Sequence, residues 1–96
     1  MVVALDDGIV VGMVSAVHYF HPDKPLELWV NEAGVAATHR KRGIATQLLA
    51  AIFEHGRTLG CTQAWVTTER DNSIAIRLYE RAGGERNDCV MFSWEL

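Results

Sequence analysis

The sequence contains little cysteine and proline, and it has no excess of basic residues. Cys61 and Cys89 are the only cysteines among 96 residues and stand in no CxxC or Cys/His metal spacing, which indicates reduced thiols and no metal site. The formal net charge of -3 argues against a nucleic-acid-binding surface. We find neither a signal-peptide pattern nor an apolar run of membrane-spanning length. These absences predict a cytoplasmic protein with no metal, nucleic-acid or membrane partner.

What the chain does contain is apolar surface. Hydrophobic residues make up 49% of it, and its length suits one domain over residues 1–96. A domain this small buries proportionally little surface. The strand predicted at residues 9–20, together with Phe92 and Trp94, would expose apolar side chains in a monomer, so we predict a homodimer. A marginal monomer with loops folded over these side chains is the alternative.

Hydrophobic periodicity predicts seven elements in the order β-β-β-α-β-α-β, an α/β domain built on a mixed sheet. An Asp7-Gly8 turn separates the first two strands, and Gly60 ends the first helix. Asn72 or Ser73 caps the second helix, which ends at Gly83. The predicted strands cover residues 2–5, 9–20, 26–35, 63–67 and 89–96, and the first helix covers residues 44–59.

The segment from His39 to Thr46 lies between the third strand and the first helix. It combines the end of a strand, four cationic or potentially cationic side chains, and a glycine immediately before the helix. A helix N-terminus presents unpaired amides and a partial positive charge, and Gly43 has no Cβ to hold an anion away. The pattern therefore favours a phosphate site, with a solvated basic loop as the alternative.

Two motifs in the chain resemble the GCN5-related N-acetyltransferase (GNAT) family. Arg40-x-x-Gly43-x-Ala45 matches the family's Q/R-x-x-G-x-G/A signature, and residues 72–83 match its N-x-x-A-x-x-L-Y-E-x-x-G segment. Within the family, the run from Trp29 to Ala45, together with Val90-Met91-Phe92 near the end, looks similar to the aminoglycoside 3-N-acetyltransferase branch. The resemblance implies acetyl-CoA as co-substrate. Backbone amides of the turn would hold its pyrophosphate, and the backbone of residues 33–35 would pair with its pantetheine arm. Asn72 would contact the same arm. The implied cofactor-binding residues are Ala33, Gly34, Val35, Arg40, Lys41, Arg42, Gly43, Ile44, Ala45, Thr46 and Asn72.

Acetyl transfer needs a base that accepts a proton from the amine and a donor for the departing thiolate. Glu32, near the end of the third strand, is the candidate base, and we expect it to be partly buried; an ordinary polar residue is the alternative. The resemblance implies Tyr79 as the acid, although core packing alone would also explain its position. His18 and His21 are weaker candidates for an acceptor pocket, and Trp29 and Trp94 are expected to pack.

Compared with the family, the predicted domain lacks the usual N-terminal strand and the two helices that follow it. A truncated or mis-started gene, a compact variant and a dimer that supplies the missing wall all remain open. The resemblance implies an N-acetyltransferase that acts on a primary amine of a small molecule or peptide. A non-catalytic acyl-CoA-binding module that has lost its acceptor site is the alternative, and a nucleic-acid-binding domain is a distant third.

Overall fold

The computed structural model describes the backbone of residues 1–96 and every side chain except those of His21 and Lys24. It confirms a mixed α/β fold with two helices. The elements are β1 (Val2–Asp6), β2 (Ile9–His21), β3 (Lys24–Val35), a short 3-10 helix (Ala37–His39), α1 (Ile44–Thr58), β4 (Cys61–Trp65) and α2 (Ser73–Arg81).

The four strands form one sheet in the order β1-β2-β3-β4. The first three strands are antiparallel neighbours, whereas β4 runs parallel to β3. Parallel neighbours need a crossover connection, and α1 provides it. The predicted Asp7-Gly8 turn is confirmed, since both residues have positive φ angles, of 49° and 76°. The turn between β2 and β3 is shorter than the interval between the two predicted strands, because β2 extends to His21 and β3 already begins at Lys24.

The core lies between one face of the sheet and α1. Its buried side chains are Val14, Leu28 and Val30 on the strands, Leu48, Leu49 and Ile52 on the helix, and Cys61 at the start of β4. Gly12 allows α1 to approach the sheet closely. A Cβ at Gly12 would lie 3.1 Å from Leu48 Cδ1 and 3.3 Å from Ile44 Cγ2. The start of α1 is therefore held next to the end of β3, which pairs with β2 at Gly12.

β3 carries an irregularity at Asn31. Ser15 pairs with Glu32 and Ala16 pairs with Val30, so β3 has one extra residue opposite β2 at this point. Such a bulge bends a strand and is common beside functional sites. Pairing between β3 and β4 ends with Trp29 and Trp65. In the part of the chain that the structure describes, no strand covers the outer edge of β3 beyond Trp29.

The strand predicted at residues 89–96 is not formed. The segment has no regular secondary structure, and Phe92 and Trp94 are 76% and 78% exposed. Trp94, which was expected to pack, is thus largely exposed and lies next to the Phe92 ring, with the two ring centroids 6.4 Å apart. Alternation of apolar and polar residues selects an extended backbone, but a strand also needs a neighbour for its hydrogen bonds. A sequence pattern cannot show whether that neighbour lies in the same chain.

Candidate functional site

The turn before α1 has an unusual backbone. Gly43, the residue just before the helix, has φ 75° and ψ 10°, and Lys41 has φ 63°. A left-handed conformation costs a non-glycine residue roughly 1–2 kcal/mol, whereas glycine adopts it freely. Backbone strain of this kind is concentrated at functional sites, and turns of this type direct successive amides toward an anion. The turn therefore has the local geometry that the sequence predicted.

The first amides of α1 are available to a ligand. The first bond within the helix runs from the Gln47 amide to the Gly43 carbonyl at 3.1 Å, and no side chain caps the helix. The amides of Ile44, Ala45 and Thr46 precede that bond and thus have no acceptor within α1. No acidic residue lies in the first turn. The helix N-terminus therefore favours an anion.

The four predicted cationic residues separate into two pairs. His39 is engaged by the protein itself, because its Nε2 lies 2.7 Å from Asp6 Oδ2 and its Nδ1 lies 2.8 Å from Thr38 Oγ1. Arg40 Nε donates to the Val35 carbonyl at 3.3 Å. These contacts, which the sequence pattern did not predict, fasten the turn to β1 and β3.

Lys41 and Arg42 form the second pair. Both side chains are exposed. Arg42 also borders a shallow cleft of about 470 Å³ between β1 and α1. These two exposed side chains can therefore add positive charge near the open end of the helix.

Residues 33–35 form the last part of β3, where only one edge of the strand is paired. Ala33, Gly34 and Val35 pair with β2 on one side. Gly34 is exposed, and a Cβ placed on it would meet nothing within 4 Å. Every second residue of such a strand directs its backbone groups away from its antiparallel partner. On the outer edge, these backbone groups are not paired with another strand of the described chain.

Glu32 is exposed, so the expectation that it is partly buried is wrong. Its partner Ser15 follows the fully buried Val14 in β2, which places Ser15 and Glu32 on the sheet face opposite α1. The bulge at Asn31 is the physical reason, because it shifts the side-chain alternation of β3 after Val30.

The same face carries an aromatic stack. The rings of Trp29 and Trp65 are 5.2 Å apart with an interplanar angle of 11°, and the Tyr19 ring stacks on the other side of Trp29 at 6.1 Å. Trp29 and Trp65 form the last β3–β4 pair. The stack therefore lies where the two strands separate, three residues before Glu32 in β3. The predicted packing role of Trp29 is met by these rings.

Tyr79 lies on α2, packed against the core beneath α1. It lines an open cleft of about 890 Å³ whose apolar wall includes Val30, Leu49 and Phe53. Burial raises the pKa of the Tyr79 hydroxyl above its usual value, so the side chain stays protonated at neutral pH. Tyr79 thus has both a core-packing role and the protonation state of an acid. None of residues 40–46 lines this cleft.

Asn72 caps α2. Its Oδ1 accepts a hydrogen bond from the Ala75 amide at 3.1 Å. The cap leaves the Asn72 side-chain NH₂ group available as a donor, so capping and ligand contact are compatible. Of the two residues proposed as caps from the sequence, the structure selects Asn72.

The two histidine candidates do not join this arrangement. His18 pairs with Leu28, a core residue, so it lies on the α1 face of the sheet rather than on the face of Glu32. The side chain of His21 lies outside the described residues. Among the residues described, no three His, Cys, Asp or Glu side chains are grouped to hold a metal ion. No described helix is long and apolar enough to cross a membrane.

Comparison with known proteins gives several N-acetyltransferases, whose names refer to different acceptors. The chain is 28% identical over 94 residues to aminoglycoside N(6')-acetyltransferase type 1 of Salmonella typhimurium, covering 94% of this chain and 65% of that protein. The chain thus spans about two thirds of that relative's length. The name of this relative refers to the 6' amine, so the expected similarity to the 3-N branch is not supported.

Solved structures agree on the fold. A crystal structure of aminoglycoside acetyltransferase HMB0005, from an uncultured soil sample, matches with a TM-score of 0.90 and 29% identity over 98% of this chain and 63% of its own. Aminoglycoside N-acetyltransferase AAC(6')-Iy, solved in complex with CoA, matches with a TM-score of 0.85 and 26% identity over 97% of this chain and 64% of its own. The family model for the acetyltransferase (GNAT) family matches residues 1–84, and with that extent the chain belongs to the GNAT family.

Proposed function

We propose that the chain is the acetyl-CoA-binding part of an N-acetyltransferase that acetylates a primary amine of a small molecule or peptide. The observation that carries the proposal is the open start of α1, where three amides without helical acceptors follow a left-handed glycine. Membership of the GNAT family and the relative solved with CoA support the same donor.

The described residues fit such a donor. The amides of residues 44–46 would hold the pyrophosphate, and Lys41 and Arg42 would add positive charge. The pantetheine arm would lie along the outer edge of β3, where backbone groups of residues 33–35 can pair with its amides as an added strand would. Asn72, at the start of α2, would contact the same arm through its side-chain amide. These contacts require no metal ion.

The proposed reaction is a direct transfer. The amine nitrogen attacks the thioester carbonyl, a C–N bond forms, and the C–S bond breaks. Glu32, directly or through a water molecule, accepts the proton that the amine loses, while Tyr79 donates a proton to the departing thiolate. The burial that raises the pKa of Tyr79 keeps it protonated for this step. Glu32 lies on the sheet face opposite α1, whereas Tyr79 lies on α2 against the core. The gap in the sheet beyond Trp29 and Trp65 is where the two reactants would meet.

For the acceptor we propose a small-molecule amine, with aminoglycosides as the first class to test. The support is the names of the similar proteins. The exposed carboxylate of Glu32 on the open face suits an acceptor that arrives as a cation. A non-catalytic acyl-CoA-binding module is the second candidate, supported by the incomplete cover of that same face, where Val3 and Val17 are exposed.

The decisive experiment measures donor binding and turnover separately. We expect acetyl-CoA to raise the unfolding temperature, because a ligand that binds only the folded state stabilises it. We also expect release of the CoA thiol when aminoglycosides, polyamines, amino acids or peptides are supplied. Stabilisation without thiol release for any amine would favour the binding module. Absence of stabilisation at millimolar acetyl-CoA would contradict both candidates.

The remaining predictions from the sequence are also proposals. We propose a single domain over residues 1–96, a cytoplasmic location and a homodimer. The exposed apolar side chains at the C-terminus support the dimer.

A further inference from the structure

His39 is joined to β1 by a contact between residues that are far apart in the sequence. Its Nε2 lies 2.7 Å from Asp6 Oδ2, although the two residues are 33 positions apart. A carboxylate oxygen only accepts hydrogen bonds, so the Nε2–H group of His39 is the donor. The other ring nitrogen lies 2.8 Å from Thr38 Oγ1, and in the neutral ring it accepts from that hydroxyl. Both ring nitrogens therefore have a partner, which fixes the orientation of the ring.

Asp6 is itself held in place by the β1–β2 hairpin. It pairs with Ile9 across the turn that joins the two strands, and the pairing continues back to Val2. Side chains alternate along a strand, and Val2 and Ala4 pack against the core, so Asp6 faces the same side of the sheet as α1. There it borders the cleft of about 470 Å³ between β1 and α1. The Asp6 carboxylate is thus directed from a paired strand toward the segment that precedes α1.

The turn that follows His39 has a conformation that needs support. Lys41 and Gly43 have φ angles of 63° and 75°. A left-handed conformation at a residue with a Cβ is unfavourable, and it persists only where the surrounding structure imposes it. The Arg40 side chain donates to a carbonyl five residues earlier, so that contact closes a local loop. The contact between His39 and Asp6 instead joins the turn to a separate strand.

We propose that Asp6 is a positioning residue for donor binding, a role that rests on the proposed binding of acetyl-CoA. Through His39, Asp6 holds residues 40–43 in the conformation that leaves the first amides of α1 open to the pyrophosphate. A carboxylate near a phosphate repels it, so a gain in affinity from Asp6 has to come through His39. The contribution is geometric, because it raises the fraction of the protein in which the turn is ready to bind.

The first test compares two Asp6 variants by calorimetry with CoA. Asp6→Ala removes the acceptor and should weaken CoA binding by about 10-fold, which corresponds to a fall of the binding-competent turn to roughly a tenth of its population. Asp6→Asn keeps an oxygen that can accept from His39, so it should retain most of the affinity. The Asp6 side chain is 56% exposed, so the unfolding temperature should change little in either variant. Equal or higher affinity in Asp6→Ala than in the wild type would overturn the proposal.

The His39 side of the contact supplies the second comparison. His39→Ala should weaken CoA binding by a similar factor, and Asp6→Ala with His39→Ala should be no weaker than either single variant, because both remove one contact. Losses that multiply in the double variant would contradict a shared contact. The matched control is Glu54→Ala, which breaks another exposed contact, 3.2 Å long, with Arg57 on α1. It should leave CoA affinity unchanged, and a loss equal to that of Asp6→Ala would also overturn the proposal.

A measurement without ligand separates this role of Asp6 from the proposed function. In the ligand-free wild type, backbone amide relaxation measured by NMR should give order parameters of about 0.85 for residues 41–43. In Asp6→Ala these values should fall below about 0.6, and in Asp6→Asn they should stay high. A wild type that binds no CoA would contradict the proposed function, whereas the order parameters would still decide whether Asp6 orders the turn. Equal order parameters in the wild type and Asp6→Ala would overturn the positioning role.

Discussion

The two helices of this protein begin in different ways. At the start of α2, the Ser73 amide donates to the Asp71 carbonyl and the Ala75 amide donates to the Asn72 side chain. At the start of α1, Gly43 has no side chain to offer, and the amides of residues 44–46 have no acceptor in the helix. One helix start is satisfied by its own chain, and the other is left for a ligand. The absence of a side-chain cap at the start of α1 therefore favours an anion site there.

The helices also differ in what they offer to the proposed reaction. The start of α1 contributes backbone amides that bind the donor. α2 instead contributes the side chain of Tyr79, whose hydroxyl has a raised pKa because it is partly buried against the core. Binding and chemistry should thus be separable by changing one helix at a time.

The largest expected effect is on catalysis through α2. Tyr79→Phe retains the ring and its packing but removes the proton donor, so kcat should fall by about 10²-fold or more. CoA affinity should stay nearly unchanged, since the amides of α1 are not altered. Steady-state kinetics and calorimetry with CoA measure the two quantities. Full kcat in Tyr79→Phe would remove the acid role from this residue.

The pH profile supplies the control for that variant. On the alkaline side, the wild-type rate should fall only when Tyr79 loses its proton, above the ordinary tyrosine pKa of about 10, because burial raises the pKa in the folded protein. This alkaline decline should be missing in Tyr79→Phe. Glu32→Gln should behave differently, with its loss of rate shrinking as pH rises and free amine accumulates.

A smaller effect is expected on donor binding through α1. Gly43→Val should weaken CoA binding by about 10- to 100-fold, since one lost charge-assisted hydrogen bond corresponds to roughly 1.5–3 kcal/mol. The matched control is Gly8→Val in the β1–β2 turn. Gly8 and Gly43 have φ angles of 76° and 75°, and neither has an atom within 4 Å of a new Cβ. Both variants should lose about 1–2 kcal/mol of stability to backbone strain, but only Gly43→Val should lose CoA affinity. Equal affinities in calorimetry would place the pyrophosphate elsewhere.

The smallest effect is expected at the cap of α2. Asn72→Ala should reduce the free energy of unfolding by about 1 kcal/mol, because the Ala75 amide loses its acceptor. Asn72→Asp keeps an acceptor oxygen and should retain the stability. The same variant removes the NH₂ donor, so a loss of CoA affinity in Asn72→Asp without a loss of stability would identify a ligand contact. Unchanged affinity in both variants would leave Asn72 with the cap alone. Chemical denaturation and calorimetry measure the two properties.

Features that depend on neighbouring residues in the sequence were predictable. The Asp7-Gly8 turn, the helix after Gly43 and the Asn72 cap are each determined by local backbone preferences, and all three are present. The turn before α1 belongs to the same class, since its open amides follow from a glycine at a helix start. The family motifs are also local, which is why the family was recognisable from the residues alone.

Features that depend on partners distant in the sequence were not predictable. The bulge at Asn31 arises from the pairing of β2 with β3, and it leaves Glu32 exposed rather than partly buried. The contact of His39 depends on Asp6, 33 residues earlier in the sequence, which only the fold brings close. The segment at residues 89–96 has the alternation of a strand but no neighbour in its own chain. Local sequence determines backbone conformation, whereas pairing and burial are decided by which surfaces the tertiary structure places together.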